Sequence, residues 1–176
     1  MNPTRRRLLQ GLVVLVPAAT LMPRSLRAET TEEAPRTVPV VVHSDQGPHR
    51  LMVETARTQA QRSKGLMDRD HLDPDAGMLF LYPQTQSSRN GFWMYRTRIA
   101  LDIAFIGEEG QIVAIETMQP CEASSPSECP VTRPGAAYGA ALEVNAGYFE
   151  EQGIRVGDCV SWPGSGALCA PDAPAS

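Results

Sequence analysis

Three short stretches carry the side chains best suited to chemistry. Phe92-Trp93-Met94 leads into Arg96 and Arg98, Asp102 sits in the apolar run Leu101 to Ile106, and Glu143 lies between Leu142 and Val144. Strand alternation puts Phe92 and Met94 on one side and Trp93 on the other. An exposed indole is a platform for a sugar ring or other flat ligand, whereas a buried one fills core. Asp102 shares its face with Arg98, Ala100, Ala104 and Ile106. A buried carboxylate needs partners, and a guanidinium of Arg96, Arg98 or Arg62 could clamp it. The structural alternative is a salt bridge fixing the end of a strand. Glu143 with Asp102 could form an acid/base pair for hydrolysis of a glycosidic bond, provided that their separation suits. The ligand-binding candidates are therefore Trp93, Arg96, Arg98, Asp102, Glu143 and Arg62, and no residue is assigned a catalytic role.

Other chemistry finds less support. His43, His49 and His71 are scattered, although the first two could meet across a hairpin. Met52, Met67, Met78, Met94 and Met118 lie beside large apolar residues, without the tight cluster that a soft-metal site needs. No Gly-rich phosphate loop follows a strand. The sequence thus calls for no metal and no cofactor.

The elements that must position these residues are mostly strands. Val38–Val42 and Leu51–Thr55 flank a turn-prone segment, Met78–Tyr82 and Phe92–Tyr95 follow, and Leu101–Ile106 and Gln111–Glu116 enclose Gly107-Glu108-Glu109-Gly110. Ala140–Val144 and Cys159–Trp162 complete the set. Thr58 and Gln61 have the spacing of a capping box, Gly65 suits the helix end, and a second short helix is expected over Ala146–Gln152. These patterns predict a β-dominated α+β domain, a single compact curled sheet or small barrel with two short helices.

Residues 1–28 read as a signal peptide: Arg5-Arg6-Arg7, an apolar run from Gly11 to Met22 broken by Pro17, and Leu26-Arg27-Ala28, which offers a small residue for cleavage. The order Thr-Arg-Arg-Arg-Leu-Leu resembles a twin-arginine export signal, with Gln10 where a Lys is usual. An ordinary secretory signal and an uncleaved anchor are the alternatives. Residues 29–37 read as a flexible linker, 38–162 as one β-rich domain, and 163–176 as a tail rich in Pro, Gly and Ala. No later stretch is long and apolar enough to be a membrane helix. After position 28 there are 11 basic and 20 acidic residues, a net charge of −9 that argues against nucleic acid as a partner. Cys121, Cys129, Cys159 and Cys169 all lie in this part; an even count in an oxidising compartment implies two disulfides, with three possible pairings. Zinc is the alternative, but spacings of eight and ten lack the close pairing of zinc ligands.

Several blocks occur in a familiar order: Arg62-Ser63-Lys64-Gly65-Leu66-Met67, Gly77-Met78-Leu79-Phe80, Phe92-Trp93-Met94, Ile99 to Ile106 and Leu142-Glu143-Val144-Asn145-Ala146-Gly147. In these the chain resembles the bacterial and archaeal family called domain of unknown function 192, over about residues 50–162. The resemblance implies a small, β-rich, often exported domain with no agreed activity, and it supplies no catalytic residues. Where the family reads Lys-Asn-Thr and Ile-Pro-Leu-Asp, this chain has Tyr95-Arg96-Thr97 and Ile99-Ala100-Leu101-Asp102. The leading expectation is a non-catalytic module binding a small polar ligand or a cell-envelope partner. A purely structural accessory role comes next, and a hydrolase of envelope glycans last.

Overall fold

The computed structural model describes residues 35–166 and Cys169. The signal peptide, most of the linker and most of the tail expected from the sequence lie outside the described residues. Nine strands are present among the described residues: β1 (Thr37–Ser44), β2 (Gly47–Ala56), β3 (Ala76–Gln86), β4 (Phe92–Trp93), β5 (Leu101–Ile106), β6 (Ile112–Met118), β7 (Val131–Thr132), β8 (Tyr138–Asn145) and β9 (Cys159–Ser161). Two short helices, α1 (Gln59–Lys64) and α2 (Tyr148–Glu151), accompany them.

Seven strands form one mixed sheet in the order β6-β5-β8-β3-β2-β1-β9, and β4 pairs with β7 in a separate two-stranded ribbon. β1 and β2 meet in a tight hairpin, with Ser44 opposite Gly47. β2 and β3 run parallel, because residues 57–75, which contain α1, cross over between them. β8 enters antiparallel between β5 and β3, which makes it an interior strand of the sheet.

The curled sheet or small barrel expected from the sequence is corrected: the sheet is open. Its ends, β6 and β9, touch at one corner through the isolated bridge Gln111–Cys159 and do not form a ladder. The physical reason is length, since β9 has three residues and cannot pair along the whole of β6. Apolar side chains cover both faces instead. One face buries Val40, Val42, Leu79, Leu142, Val144 and Phe149 beneath α2; the other buries Met78, Phe80, Phe92, Ile103, Phe105 and Tyr138 beside α1.

Local sequence accounts for the helices. The Thr58 hydroxyl accepts from the Gln61 N–H while the Gln61 side chain accepts from the Thr58 N–H, a complete capping box. Gly65 ends α1 at φ 49°, where a Cβ would be strained. The second helix is one turn, shorter than expected, and begins after Gly147 at φ 87°.

Candidate ligand-binding cleft

The two carboxylates of interest sit on opposite faces of the sheet. Asp102 of β5 pairs with Val144 in the register, whereas Glu143 of β8 pairs with Ile103. Each therefore points with its partner, Asp102 towards the α2 face and Glu143 towards the α1 face. The acid/base pair proposed from the sequence is thereby removed, because alternation along adjacent strands forbids the two from meeting.

Asp102 is fully engaged in holding the fold. Its Oδ2 accepts from the backbone N–H of Gly147 (2.9 Å) and Phe149 (3.4 Å), and its Oδ1 accepts from the Thr117 hydroxyl (2.7 Å). Gly147 has no side chain to cap α2, so a carboxylate from a distant strand performs that task. None of the three arginines offered as its clamp takes part. Arg96 forks onto Asp68 through Nε (3.1 Å) and Nη2 (2.6 Å), and Arg98 bonds Asp70 at 2.8 Å, all at the exposed surface. Asp68 and Arg96 both have positive φ, and the Asp68 N–H donates to the Arg96 carbonyl, so this pair buttresses a loop.

Glu143 is different. It is 4% exposed and makes no hydrogen bond or ion pair among the described residues. No fully sealed polar side-chain atom among those residues lacks a partner, so its carboxyl keeps an outlet to solvent. That outlet is a cleft of about 480 Å³, whose lining includes Glu143, Tyr82, Tyr138, Phe92, Trp93 and Arg62. Volumes of roughly 300–1,000 Å³ are typical of small-molecule sites. Removal from water raises the Glu143 pKa from 4.5 to about 8, so at neutral pH the carboxyl is mostly protonated and can donate. Burial also raises both tyrosines, leaving them neutral hydroxyls.

The cleft is assembled from every layer of the structure. Tyr82 follows Met78 and Phe80 at every second position of β3, and Tyr138 meets it edge-on with ring centroids 5.7 Å apart. Tyr138 reaches this face through a register break in which β3 spends extra residues between Leu81 and Gln86. Arg62 leaves α1, lies 5.0 Å over the Tyr82 ring and donates to the Leu81 carbonyl at 3.0 Å. Trp93 stands opposite Val131 on the β4–β7 ribbon, 43% exposed. The Cys121–Cys129 disulfide closes the loop that leads into β7. Gly91 precedes this ribbon because a Cβ there would collide with the Thr132 carbonyl. Gly77 is needed likewise, since a Cβ would run into the backbone of Glu143 itself.

Of the residues proposed from the sequence, Trp93, Glu143 and Arg62 share this cleft, while Asp102, Arg96 and Arg98 do not. Sequence reasoning missed Tyr82, Tyr138, Lys64, Arg89 and Arg133. Alternation along β3 could have found Tyr82; the register break hid Tyr138. Both disulfides have the local pairing, Cys121–Cys129 and Cys159–Cys169. The histidines are not brought together: His43 bonds Ser161, His49 bonds Ser44 and His71 bonds Asp73. Among the described residues no three His, Cys, Asp or Glu side chains are grouped to hold a metal ion, and no helix is long and apolar enough to cross a membrane.

The family model DUF192, "Uncharacterized ACR", matches residues 40–162, which takes in the whole cleft. The chain belongs to the DUF192 family. Two similar crystal structures bear out the domain's architecture. One is a protein of Sinorhizobium meliloti 1021 named as a candidate transcription regulator, 31% identical, with a TM-score of 0.66 over 76% of this chain and 98% of that one. The other, a protein of unknown function from Novosphingobium aromaticivorans DSM 12444, is 33% identical, with a TM-score of 0.60 over 74% of this chain and 94% of that one. Comparison with curated proteins finds no match. This DUF192 domain is small and β-rich, and the ion pairs among its described residues lie at its periphery.

Proposed function

We propose that this DUF192 protein is an exported, non-catalytic module that binds a small polar ligand in the cleft between α1, β3, β8 and the β4–β7 ribbon. The observation that carries this reading is Glu143. A carboxyl buried on an interior strand, without a partner among the described residues, costs stability unless something else satisfies it. A bound ligand at the open end of the cleft would do so. Trp93 supports the reading as well, because a core tryptophan would be buried and this one forms a half-exposed wall.

Export is supported by the basic and apolar residues 1–28 and by two disulfides, which persist in oxidising compartments. The regulator name of the Sinorhizobium protein is not carried over. A net charge of −9 after position 28 opposes nucleic-acid binding.

Native mass spectrometry of protein recovered from a bacterial periplasm provides the test. Wild type should carry a non-covalent small-molecule adduct that Trp93→Ala and Glu143→Leu lose. An adduct retained by both variants would place the site elsewhere. No adduct, together with unmoved cleft NMR signals on adding the small-molecule fraction of periplasm, would end the proposal.

A further inference from the structure

The cleft reverses the charge of the protein around it. Four of the eleven basic residues after position 28 line it (Arg62, Lys64, Arg89 and Arg133), against one of twenty acids, Glu143. More tellingly, none of the four forms an ion pair among the described residues. Three arginines elsewhere do, Arg69 with Glu54, Arg96 with Asp68 and Arg98 with Asp70, whereas Arg50, Arg57 and Arg155 are unpaired among the described residues but scattered rather than gathered at one site. Arg62 and Arg133 are held by carbonyls, through the Leu81 oxygen for one and the Arg89 and Val131 oxygens for the other. Carbonyl anchoring fixes a guanidinium in place and leaves its charge uncompensated. The side chains of Lys64 and Arg89 make no bond at all among the described residues and stand exposed at the mouth.

Resting on the ligand-binding reading above, the geometry points to an anionic sugar-sized ligand, a hydroxyl-bearing ring with a carboxylate or phosphate. The anionic group meets Lys64 and Arg89 at the mouth, and the ring lies against Trp93 and Val131. A ring hydroxyl takes the hydrogen bond of the Glu143 carboxyl below. An anion is the occupant that fits, because four uncompensated cations around an uncharged acid attract negative charge even in an acidic protein. A ring with several hydroxyls fits the remaining wall, where Asn90 Oδ1 makes no hydrogen bond among the described residues and is left to accept one, while the Gln59 and Gln86 amides are already tied to Arg62, Ser63, Gln84 and Asn90. A neutral aromatic compound would leave the cations unused.

The chain has two tryptophans, which makes the test self-controlled. Trp93 borders the cleft, and Trp162 packs against the core of the other sheet face. Indole N–H signals of ¹⁵N-labelled protein should be followed while glucuronate, glucose 6-phosphate, glucose and inorganic phosphate are added in turn. Glucuronate or glucose 6-phosphate should move the Trp93 signal and leave Trp162 still, and whichever binds tighter identifies the anionic group. Lys64→Gln and Arg89→Gln should each weaken that binding by about tenfold, the loss expected for one charge-assisted hydrogen bond. Glu143→Gln, which keeps a donor, should bind within about threefold of wild type, and Glu143→Leu should not bind. Glucose binding as tightly as the anions, or affinity indifferent to Lys64 and Arg89, would overturn the anionic assignment and leave the ligand-binding reading standing. Silence of Trp93 towards all four probes would overturn it too. In that case a periplasmic adduct lost in Trp93→Ala would keep the broader reading, and its absence would end both.

Discussion

Two buried carboxylates, one strand apart in the same sheet, have opposite fates. Asp102 lies on the α2 face and accepts three hydrogen bonds that tie β5, β6 and the start of α2 together. Glu143 lies on the α1 face and is given no bond by the described residues. Burial alone therefore does not distinguish a structural acid from a binding one; satisfaction does. A carboxylate whose acceptor sites are filled by backbone N–H groups strengthens the fold. One left facing a cleft retains its proton and its capacity for another partner.

The largest expected effect would break this comparison from the Glu143 side. The folded chain holds the Glu143 proton up to about pH 8, while an ordinary glutamate releases it near 4.5. The folded state thus binds an extra proton between those values. The stability contributed by the neutral carboxyl is fully present below pH 4.5 and is lost as pH rises through 8. Urea denaturation of wild type and Glu143→Gln at a series of pH values should diverge by on the order of 4 kcal/mol across that window, with wild type falling. Parallel curves would mean that Glu143 ionises normally.

Next comes Asp102→Ala, expected to cost about 3 kcal/mol in urea denaturation at neutral pH, because the N–H groups of Gly147 and Phe149 lose their acceptor. Its affinity for a cleft ligand should stay within about twofold of wild type, as additivity between separate sites requires. A variant that kept its stability but lost binding would invert the assignment of the two acids.

Replacing Cys121 and Cys129 with serine should cost about 2.5 kcal/mol, the chain entropy of so short a loop. Because that loop leads into β7, which pairs with β4, hydrogen exchange should speed up at Trp93 and Val131 first, leaving β8 protected. Uniform acceleration would show that the disulfide serves the domain as a whole. The smallest effect on stability belongs to Trp93→Ala, expected at about 1–2 kcal/mol since the indole is half-exposed. A cost of several kcal/mol would make Trp93 a core residue and weaken its role in the cleft.

Much of the local structure was legible in the sequence. The capping box at Thr58 and Gln61, the helix end at Gly65, the strand around Leu101 to Ile106 and its turn at Gly107–Gly110 follow from side-chain type and spacing over a few residues. Alternation also placed Glu143 opposite to Leu142 and Val144. The site was half legible: Trp93, Arg62 and Glu143 were recognisable as unusual residues, but so were Asp102, Arg96 and Arg98, which belong elsewhere. The 3₁₀ turn at Pro126–Glu128 and the two-residue strand β7 carry too few residues for any periodicity to register.

Sequence alone determined which side chains share a face of their own strand, how α1 begins and ends, and that the charge after position 28 is strongly negative. Each depends on neighbours within a turn or a strand, where backbone geometry is fixed. Only the tertiary structure decided that β8 runs between β5 and β3, that β9 leaves the sheet open, and that a register break turns Tyr138 towards Tyr82. Those outcomes depend on which strands pair, a choice made by the summed packing of residues far apart in the chain. The same choice gave Asp102 its partners and left Glu143 without any among the described residues.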